Sequence, residues 1–415
     1  MLHLDEGLLG RILAGPAGPG TTAVRLFRDI PPEGAVLEPA EPAESAPPGG
    51  PVAADLPGPP AGSGTVAGPG AVIGSGPAAE GPSGGADSTA EGGSGGSVTV
   101  PPLYCPEASR DDPALGRVVN DRLVAWAEEM GLFQGRLERL RSHDFGRLFM
   151  LAHPDTDDAD RLLAAARCGL AEWAVDDHWV DEGEDTRPEL IGPRVALAHA
   201  VVDPVRLPPR YYGQFEQVVA AEPVLKAFRS ALTLLGTIAN PTQVARLRHE
   251  LAVMFVGYGQ EAEWRMSGRR PAVWEYLLHR YENAFFPCMV LVDPVGGYEL
   301  PAHEFADHRV RRTYLYAGVA NVLLNDLYSM AKEDPTDTNL PNLIAAEEGC
   351  TLQEAVDQAA AIHDELMHTI EAESAALCAL GSPELKRFLT GVWAWMGGSH
   401  TWHRTSARYH GGGAA

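Results

Sequence analysis

Apolar side chains recur at helical spacing from about residue 98 to residue 410, and the alternation typical of strands is scarce. Proline and glycine residues interrupt this pattern and divide it into seven predicted helices. They are Asn120–Leu132, Asp160–Glu182, Thr242–Trp264, Pro271–Phe286, His308–Glu333, Leu352–Leu380 and Pro383–His410. No repeat with a period of about 20–50 residues is visible, so the pattern predicts one all-α domain over residues 101–415, long enough to surround a central cavity.

The first hundred residues have a different composition, because Gly, Pro, Ala and Ser dominate the stretch from about Pro31 to Ser97. A segment of this kind buries too little apolar surface to offset the conformational entropy lost on folding. We therefore predict that residues 1–100 form a disordered extension that precedes the helical domain.

Charge and cysteine content limit the kinds of partner. With 32 basic and 56 acidic side chains, the formal net charge is −24, which argues against nucleic acid or an anionic membrane as a partner. Five dispersed cysteines without a C-x-x-C pair are typical of reduced thiols, and the N-terminus lacks the features of a signal peptide. No apolar stretch is as long as a membrane span. We expect a soluble, cytoplasmic protein.

Asn325, Ser329 and Glu333 follow one another at steps of four residues, which places their side chains on one face of a helix. Amide, hydroxyl and carboxylate oxygens are hard donors that suit Mg²⁺, an ion that also binds substrate phosphates. The alternative is an ordinary amphipathic helix with a solvated polar face, because apolar residues such as Leu323 and Leu327 lie on the opposite side.

A second group of acidic residues ends the predicted helix Asp160–Glu182. Asp176 continues an apolar stripe that includes Trp173, and a buried carboxylate is costly unless it is paired or binds a cation. Asp177 and Asp181 are four residues apart and repel each other unless a cation lies between them. The alternative is that these acids simply solvate the last turn of the helix.

Three basic side chains could complete an anion site with these acidic faces. Arg280 follows a predicted apolar helix face, Lys332 lies beside Glu333, and Arg408 precedes Tyr409 near the end of the last predicted helix. Each taken alone is more typical of a surface charge. Together with metal ions, these side chains would form a clamp for a diphosphate.

In combination, these motifs resemble those of bacterial class I terpene cyclases. The likeness comprises an acidic D-D-x-x-x-(D/E) motif, an N-D-x-x-S-x-x-x-E motif, a diphosphate-sensing arginine and a C-terminal Arg-Tyr pair. The matching residues are Asp176, Asp177, Asp181, Asn325, Asp326, Ser329, Glu333, Arg280, Arg408 and Tyr409. The match covers about residues 100–410, but only one arginine stands where the family has an Arg-Arg pair.

The resemblance implies a single class I terpenoid synthase bundle around an apolar cavity, in which three Mg²⁺ ions bind an allylic diphosphate. The implied metal ligands are Asp176, Asp177, Asp181, Asn325, Ser329 and Glu333. The implied diphosphate-binding residues are Arg280, Lys332, Arg408 and Tyr409. Among the catalytic residues, Arg280 and Tyr409 are implied to act on the leaving group. Trp173, one turn before Asp176, is the candidate for stabilising the carbocation through its aromatic face, and the alternative is that it only packs in the core.

Within the family, the chain is most similar to the branch that forms 2-methylisoborneol. The likeness lies in the Gly/Pro/Ala-rich extension, in Pro101-Pro102-Leu103-Tyr104-Cys105-Pro106 and in the stretch from Glu172 to Asp177. It implies that the substrate is 2-methylgeranyl diphosphate, which a separate methyltransferase supplies, and that a homodimer is one option for the assembly.

Three alternatives remain open on the sequence. The first is a cyclase for another mono- or sesquiterpene, because the sequence does not reveal the size of the cavity. The second is a non-catalytic, diphosphate-binding helical protein. The third is a chain-elongating prenyl transferase, which the Asn/Ser/Glu motif disfavours because that family has two Asp-rich motifs.

Removal of residues 1–97 tests the predicted boundary of the domain. The remaining chain should release diphosphate from an allylic substrate at a rate within about twofold of the full chain, because a segment without a packed core adds no contacts to a buried site. Release of diphosphate by the two proteins at equal concentration measures this. A large loss in the shorter protein would contradict the prediction.

Overall fold

The structure is a computed structural model that describes residues 98–180, 187–330 and 338–410. Throughout these ranges the regular elements are helical, which confirms the predicted all-α fold. None of the helices in these ranges is long and apolar enough to cross a membrane. Residues 1–97 of the predicted disordered extension lie outside the described residues. So do three predicted site residues, Asp181, Lys332 and Glu333.

Seventeen α-helices are described, together with a π-helix (Asp176–Val180) and a 3-10 turn (Pro188–Leu190). The helices before residue 236 are α1 (Pro113–Met130), α2 (Leu137–His143), α3 (Phe145–Ala152), α4 (Ala159–Val175), α5 (Ile191–Val202), α6 (Pro209–Ala221) and α7 (Pro223–Leu235). The later helices are α8 (Pro241–Ser267), α9 (Val273–Arg280), α10 (Phe286–Met289), α11 (Val292–Gly296), α12 (Ala302–Phe305), α13 (His308–Ser329), α14 (Leu340–Glu348), α15 (Leu352–Leu380), α16 (Pro383–Thr405) and α17 (Ala407–His410).

Local capping sets the ends of the long helices. At the start of α15, the Thr351 hydroxyl and the Glu354 carboxylate form a capping box, and α15 has the predicted bounds. In contrast, α1 begins seven residues earlier than predicted, because Asp112 accepts hydrogen bonds from the first turn and Pro113 suits a helix start. Gly131 ends α1 in the left-handed conformation that glycine adopts without strain.

The core of the bundle is built from long helices that pack side by side. Helix α13 packs on α15 and α16, α4 packs on α1 and α7, and α3 lies between α1 and α16. Large aromatic side chains such as Trp126, Trp395 and Trp402 are fully buried at these contacts. The apolar face of α13 is buried as predicted, through residues such as Leu323 and Leu327.

The prediction of one continuous helix over Pro271–Phe286 is wrong. Helix α9 ends at Arg280, and α10 begins only at Phe286. Pro287 has no N–H to donate to the carbonyl of Asn283, which would be its partner in a continuous helix. The guanidinium of Arg280 donates to that carbonyl instead, at 3.5 Å. The break therefore couples the end of α9 to the turn that follows it.

The prediction of one helix over Pro383–His410 is also wrong, because the chain leaves the helical conformation at Ser406. The Ser406 hydroxyl donates to the carbonyl of His143 at 2.9 Å and accepts from the backbone N–H of Arg408 at 3.2 Å. A serine in this arrangement favours the start of a new helix. The short helix α17 consequently turns back toward α2.

Eight helices lie outside the predicted ranges: α2, α3, α5, α6, α7, α11, α12 and α14. Helix α3 shows why, because it is buried on most of its circumference and its sequence has no polar face. Helix α6 shows the opposite case, since Val219 is its only buried residue. Both patterns weaken the helical periodicity on which the prediction relied.

Gly398→Ala should destabilise the bundle, because a Cβ atom at Gly398 would lie 2.5 Å from the carbonyl carbon of Leu151 and 2.6 Å from the backbone nitrogen of Ala152. Backbone atoms of α3 cannot move aside easily, so we expect a loss of about 2 kcal/mol in the free energy of unfolding. Urea unfolding followed by circular dichroism measures it.

Gly259→Ala is the matched control, because Gly259 also lies inside a helix but has nothing within 4 Å of the added Cβ position. It should leave the protein unchanged or stabilise it by up to about 1 kcal/mol. Equal effects of the two substitutions would contradict the proposed close contact between α3 and α16.

Candidate active site

The predicted site residues surround one cavity of about 950 Å³. Its walls are formed by α4 and the π-helix, by α8 and α9 with the turn that follows, and by α13 and α17. The lining includes Trp173, Asp176, Asp177, Arg280, Asn325, Ser329, Arg408 and Tyr409. Eight of the eleven residues predicted for the site therefore lie on the same cavity, and the other three lie outside the described residues. The predicted helices alone did not show that these residues meet.

One wall of the cavity is acidic because α4 changes at Asp176 into a π-helix. Residues such as Asp176 and Asp177 would point in directions about 100° apart on an α-helix, yet both line the cavity. A π-turn inside an α-helix is rare and frequently marks a functional site. Asp177 is buried and accepts a hydrogen bond from Arg408 at 3.3 Å, so it is not a solvated acid at a helix end.

A second wall of the cavity is the polar face of α13, which holds Asn325 and Ser329. This face is not solvated, since Asp326 is 1% exposed, Ser329 is 4% exposed and Asn321 is fully buried. The alternative of an ordinary amphipathic helix is therefore wrong for α13. Its polar residues lie inside the protein, where they need partners or a ligand.

Hydrogen bonds fix the orientation of the Asn325 amide. The Nδ1 atom of His403 lies 2.8 Å from the carbonyl of Ser399, which can only accept, so Nδ1 carries the proton. In a neutral ring Nε2 then accepts from the amide nitrogen of Asn325 at 3.1 Å. That nitrogen also donates to the Tyr409 hydroxyl at 2.8 Å. The amide oxygen must point away from both partners.

Asp326 connects the second wall to the predicted diphosphate sensor. Its carboxylate accepts from the guanidinium of Arg280, from the Tyr276 hydroxyl at 2.8 Å and from the backbone N–H of Leu340 at 3.3 Å. The Arg280 guanidinium also lies over the Tyr276 ring, with 4.8 Å between its central carbon and the ring centroid. The sequence motif contained Asp326, but its role as the anchor of Arg280 was not predicted.

The buried cations of the site keep their charge. Burial lowers the pKa of Arg280, but the carboxylates of Asp326 and Glu261 more than offset this and hold that pKa above its usual value. The pKa of Arg408 is raised in the same way, since the nearby Asp177 outweighs the effect of burial. Burial raises the pKa of Tyr409 to about 12, so its hydroxyl is protonated at neutral pH and can donate.

Positive charge is concentrated at this cavity although the chain as a whole is acidic. The arginines that line it are Arg139, Arg265, Arg269, Arg270, Arg280 and Arg408. Four of these were not predicted, because they come from separate segments that only the fold brings together. Arg269 is paired with Glu275 at 2.7 Å, and Arg270 donates to the carbonyl of Asn342 at 2.8 Å. Such a concentration of guanidinium groups suits a multiply charged anion.

Aromatic rings cover another part of the wall. Trp173 is half-buried and stacks on Phe145 with 4.3 Å between the ring centroids, and it meets Phe285 edge-on at 6.1 Å. Trp173 and Phe285 line the cavity, whereas Phe149 and Trp395 pack behind them. The cavity therefore combines a charged mouth with an aromatic interior surface.

Two glutamates on the cavity wall have opposite electrostatic environments. Burial would raise the pKa of Glu261, but His279 and the neighbouring arginines lower it to about 2. Glu172 lies one helical turn before Asp176, and its burial raises its pKa to about 8, because only the Cys288 thiol donates a hydrogen bond that opposes this shift. At neutral pH, Glu261 is therefore charged and Glu172 is mainly neutral.

The donor set of the two walls fits a hard cation. Asp176 offers a carboxylate, Asn325 offers an amide oxygen whose direction is fixed, and Ser329 offers a hydroxyl. These oxygen donors are the type that Mg²⁺ prefers. In the described ranges no group of three or more His, Cys, Asp and Glu side chains is placed to hold a metal ion.

Comparison with known proteins identifies the family of the chain. A family profile described as terpene synthase family 2, C-terminal metal binding, matches residues 168–369. A 2-methylisoborneol synthase of Saccharopolyspora erythraea is 38% identical over 74% of this chain and 89% of that enzyme. The chain belongs to the terpene synthase family. The resemblance inferred from the motifs is therefore confirmed.

Two further relatives are similar to this terpene synthase over most of its chain. A 2-methylisoborneol synthase of Streptomyces ambofaciens is 36% identical over 96% of this chain and 80% of that enzyme. The crystal structure of 2-methylisoborneol synthase from Streptomyces coelicolor A3(2) in complex with Mg²⁺ and 2-fluoroneryl diphosphate has a TM-score of 0.70 and 38% identity, and covers 74% of this chain and 96% of that one. This terpene synthase thus has the same helical-bundle fold as the Streptomyces coelicolor enzyme.

Arg280→Ala should destabilise the terpene synthase strongly, because it leaves the buried carboxylate of Asp326 without its cation. Breaking a buried ion pair by removing one partner costs about 3–5 kcal/mol. The free energy of unfolding in urea measures this loss.

Arg312→Ala is the control, since Arg312 pairs with Glu373 at 2.6 Å but is half-exposed. Its loss should cost no more than about 1 kcal/mol. If both substitutions lowered the free energy of unfolding by the same small amount, Arg280 would not be the charge partner on which buried Asp326 depends.

Proposed function

We propose that this terpene synthase converts 2-methylgeranyl diphosphate and water to 2-methylisoborneol and diphosphate. The observation that carries the proposal is the meeting of two polar helix faces and several arginines around one cavity with aromatic walls. The 36–38% identity with 2-methylisoborneol synthases over most of the chain supports this choice of substrate and product.

The metal site of the proposal spans the cavity mouth. Asp176 would bind from the acidic wall, and Asn325 and Ser329 would bind from α13, with three Mg²⁺ ions in total. Asp177, Asp181 and Glu333 complete the predicted set, although the last two lie outside the described residues. Bound magnesium would supply Lewis-acid stabilisation of the negative charge that grows on the leaving group.

Arginine and tyrosine side chains would orient the diphosphate. Arg280 and Arg408 keep their charge while buried, and charge-assisted hydrogen bonds from such groups are stronger than neutral ones. The protonated hydroxyl of Tyr409 would donate to the same oxygens, and so would Lys332, which lies outside the described residues. These donors act on charge that develops as the C–O bond breaks, so they stabilise the transition state more than the bound substrate.

The remaining walls would protect the carbocation. After ionisation the diphosphate returns to form the tertiary isomer, the chain rotates, and a second ionisation precedes two ring closures and capture by water. The rings of Trp173 and Phe285 offer π faces that stabilise a cation by about 0.5–2 kcal/mol each without reacting with it. They lie on the wall beside the acidic motif, where the allylic chain would extend inward.

Two features of the proposal concern partners. The methylated substrate would come from a separate methyltransferase. A homodimer is the assembly that we propose for the enzyme. Neither feature affects the chemistry at the cavity.

Asn325→Ala should lower turnover by a factor of about 100 or more, because it removes a proposed ligand of the magnesium ions that would stabilise the leaving diphosphate. Glu333→Ala should have a similar effect. Both variants should keep the helical circular dichroism spectrum of the wild-type protein. The loss of turnover would then come from the reaction step and not from unfolding. Steady-state release of diphosphate at saturating Mg²⁺ measures turnover.

Glu365→Ala is the control for these substitutions, since Glu365 is exposed on α15, remote in sequence from the motifs. It should turn over at the rate of the wild-type protein. Retained activity in both Asn325→Ala and Glu333→Ala would refute the proposed metal site.

Product analysis tests the proposed reaction itself. The purified protein is incubated with 2-methylgeranyl, geranyl or farnesyl diphosphate, with Mg²⁺ or with EDTA, and the volatile products are identified. We expect 2-methylisoborneol from the first substrate in the presence of Mg²⁺ only. A preference for geranyl or farnesyl diphosphate would show a cyclase of different specificity, and no release of diphosphate from any substrate would refute an enzyme of this class.

A further inference from the structure

Among the described residues of the cavity wall, Glu172 and Glu261 are the two carboxyl groups that neither the metal motif nor the diphosphate clamp uses, and Glu172 is the one without a charged partner. It is 6% exposed and lies four residues, or about 6 Å along the helix axis, before Asp176. Asp176 is half-buried whereas Glu172 is buried, so Glu172 lies deeper in the protein along α4, next in sequence to Trp173 of the aromatic wall.

The carboxyl group of Glu172 has one satisfied and one unsatisfied oxygen. The Cys288 thiol donates to Oε2 at 3.2 Å. The other oxygen, Oε1, is buried and has no hydrogen-bond partner among the residues that the structure describes. A buried polar atom without a partner costs stability. Because Glu172 lines the cavity, a rotation of its carboxyl group would bring this oxygen within reach of a water molecule there.

We propose that Glu172 holds the water molecule that captures the final carbocation, and that it thereby directs the enzyme to an alcohol. The inference rests on the proposed cyclase function. In the neutral group the proton would lie on Oε2, so that Oε1 is the carbonyl oxygen and accepts a hydrogen bond from the water. The lone pairs of the water oxygen are then directed toward the cavity. The aromatic wall offers no comparable acceptor.

The capture step balances without a further reactant. A lone pair of the water oxygen forms the C–O bond, and the carbocation thereby becomes a protonated alcohol. The proton leaves to the released diphosphate, which is the strongest base in the cavity, so Glu172 positions the water but does not act as the base. The net products are one alcohol and one diphosphate.

The environment of Glu172 suits this role. An ionised carboxylate next to a carbocation would remove a proton to give an olefin or would trap the cation as an ester. Burial instead keeps the group mainly neutral at neutral pH. The charged Glu261, on the same cavity, is held by hydrogen bonds from His279 at 2.8 Å and Asn283 at 2.6 Å. Glu172 is therefore the better candidate for a group that binds water and tolerates a cation.

The test compares Glu172→Leu, which removes the acceptor, with Glu172→Gln, which keeps a polar group of the same size. Wild-type and variant proteins are incubated with 2-methylgeranyl diphosphate, Mg²⁺ and ¹⁸O-labelled water. The release of diphosphate and the ratio of labelled alcohol to olefins are measured separately. Only the ratio reports on the capture of water.

We expect Glu172→Leu to lower the alcohol-to-olefin ratio about tenfold, which is the effect that the loss of one hydrogen bond allows, while diphosphate release continues. Glu172→Gln should keep a ratio close to that of the wild type. An unchanged ratio in Glu172→Leu, or an equal loss in both variants, would overturn the inference. So would a wild-type protein that releases diphosphate but forms olefins only. A wild-type protein that releases no diphosphate would instead overturn the proposed function.

A second measurement covers the case in which Glu172→Leu does not fold. A crystal structure of the wild-type protein with Mg²⁺ and geranyl S-thiolodiphosphate, an unreactive substrate analogue, should show an ordered water within hydrogen-bond distance of Oε1. Apolar carbon atoms of the analogue in direct contact with Oε1, or no density there, would overturn the inference.

Discussion

The contacts that Arg408 and Tyr409 make with two other helices hold the polar parts of the site together. Arg408 donates to Asp177 on the acidic wall, and Tyr409 accepts from Asn325 on α13. Both side chains come from the four-residue helix α17, which exists because the chain breaks at Ser406. A buried acid and a half-buried amide thus share one short connecting element, and both would lose a partner without it.

The cavity is divided between a charged mouth and a less polar interior, and the two glutamates follow this division. At the mouth, cationic neighbours keep Glu261 ionised, and Arg280 keeps its charge beside Asp326. Deeper in the cavity, burial without a nearby cation keeps Glu172 mainly neutral. The glutamate side chain is therefore charged at one position and mainly neutral at the other, because the neighbouring groups differ. The proposed reaction needs both regions, since charge separates at the mouth and the cation must survive inside.

The sequence predicted the parts of this site that depend on local spacing. A step of four residues places Asn325 and Ser329 on one face of α13. A step of three residues places Trp173 at the end of α4 and Asp176 at the start of the π-helix on the same side, and all four residues line the cavity. The contacts that join these parts depend on tertiary structure. The break before Pro287 and the turn at Ser406 interrupt helical patterns that look continuous, and the hydrogen bond between Cys288 and Glu172 links residues 116 positions apart. Periodicity contains no information about such contacts.

Anomalous scattering would test most directly whether the two walls bind one metal–diphosphate cluster. Crystals of the wild-type protein would be soaked with Mn²⁺ and geranyl S-thiolodiphosphate, and the manganese positions would be located relative to α13 and the π-helix. The account predicts that Asp176 and Asn325 both coordinate manganese ions that contact the same diphosphate. Manganese bound by only one of the two walls, or a diphosphate bound outside the cavity, would contradict it.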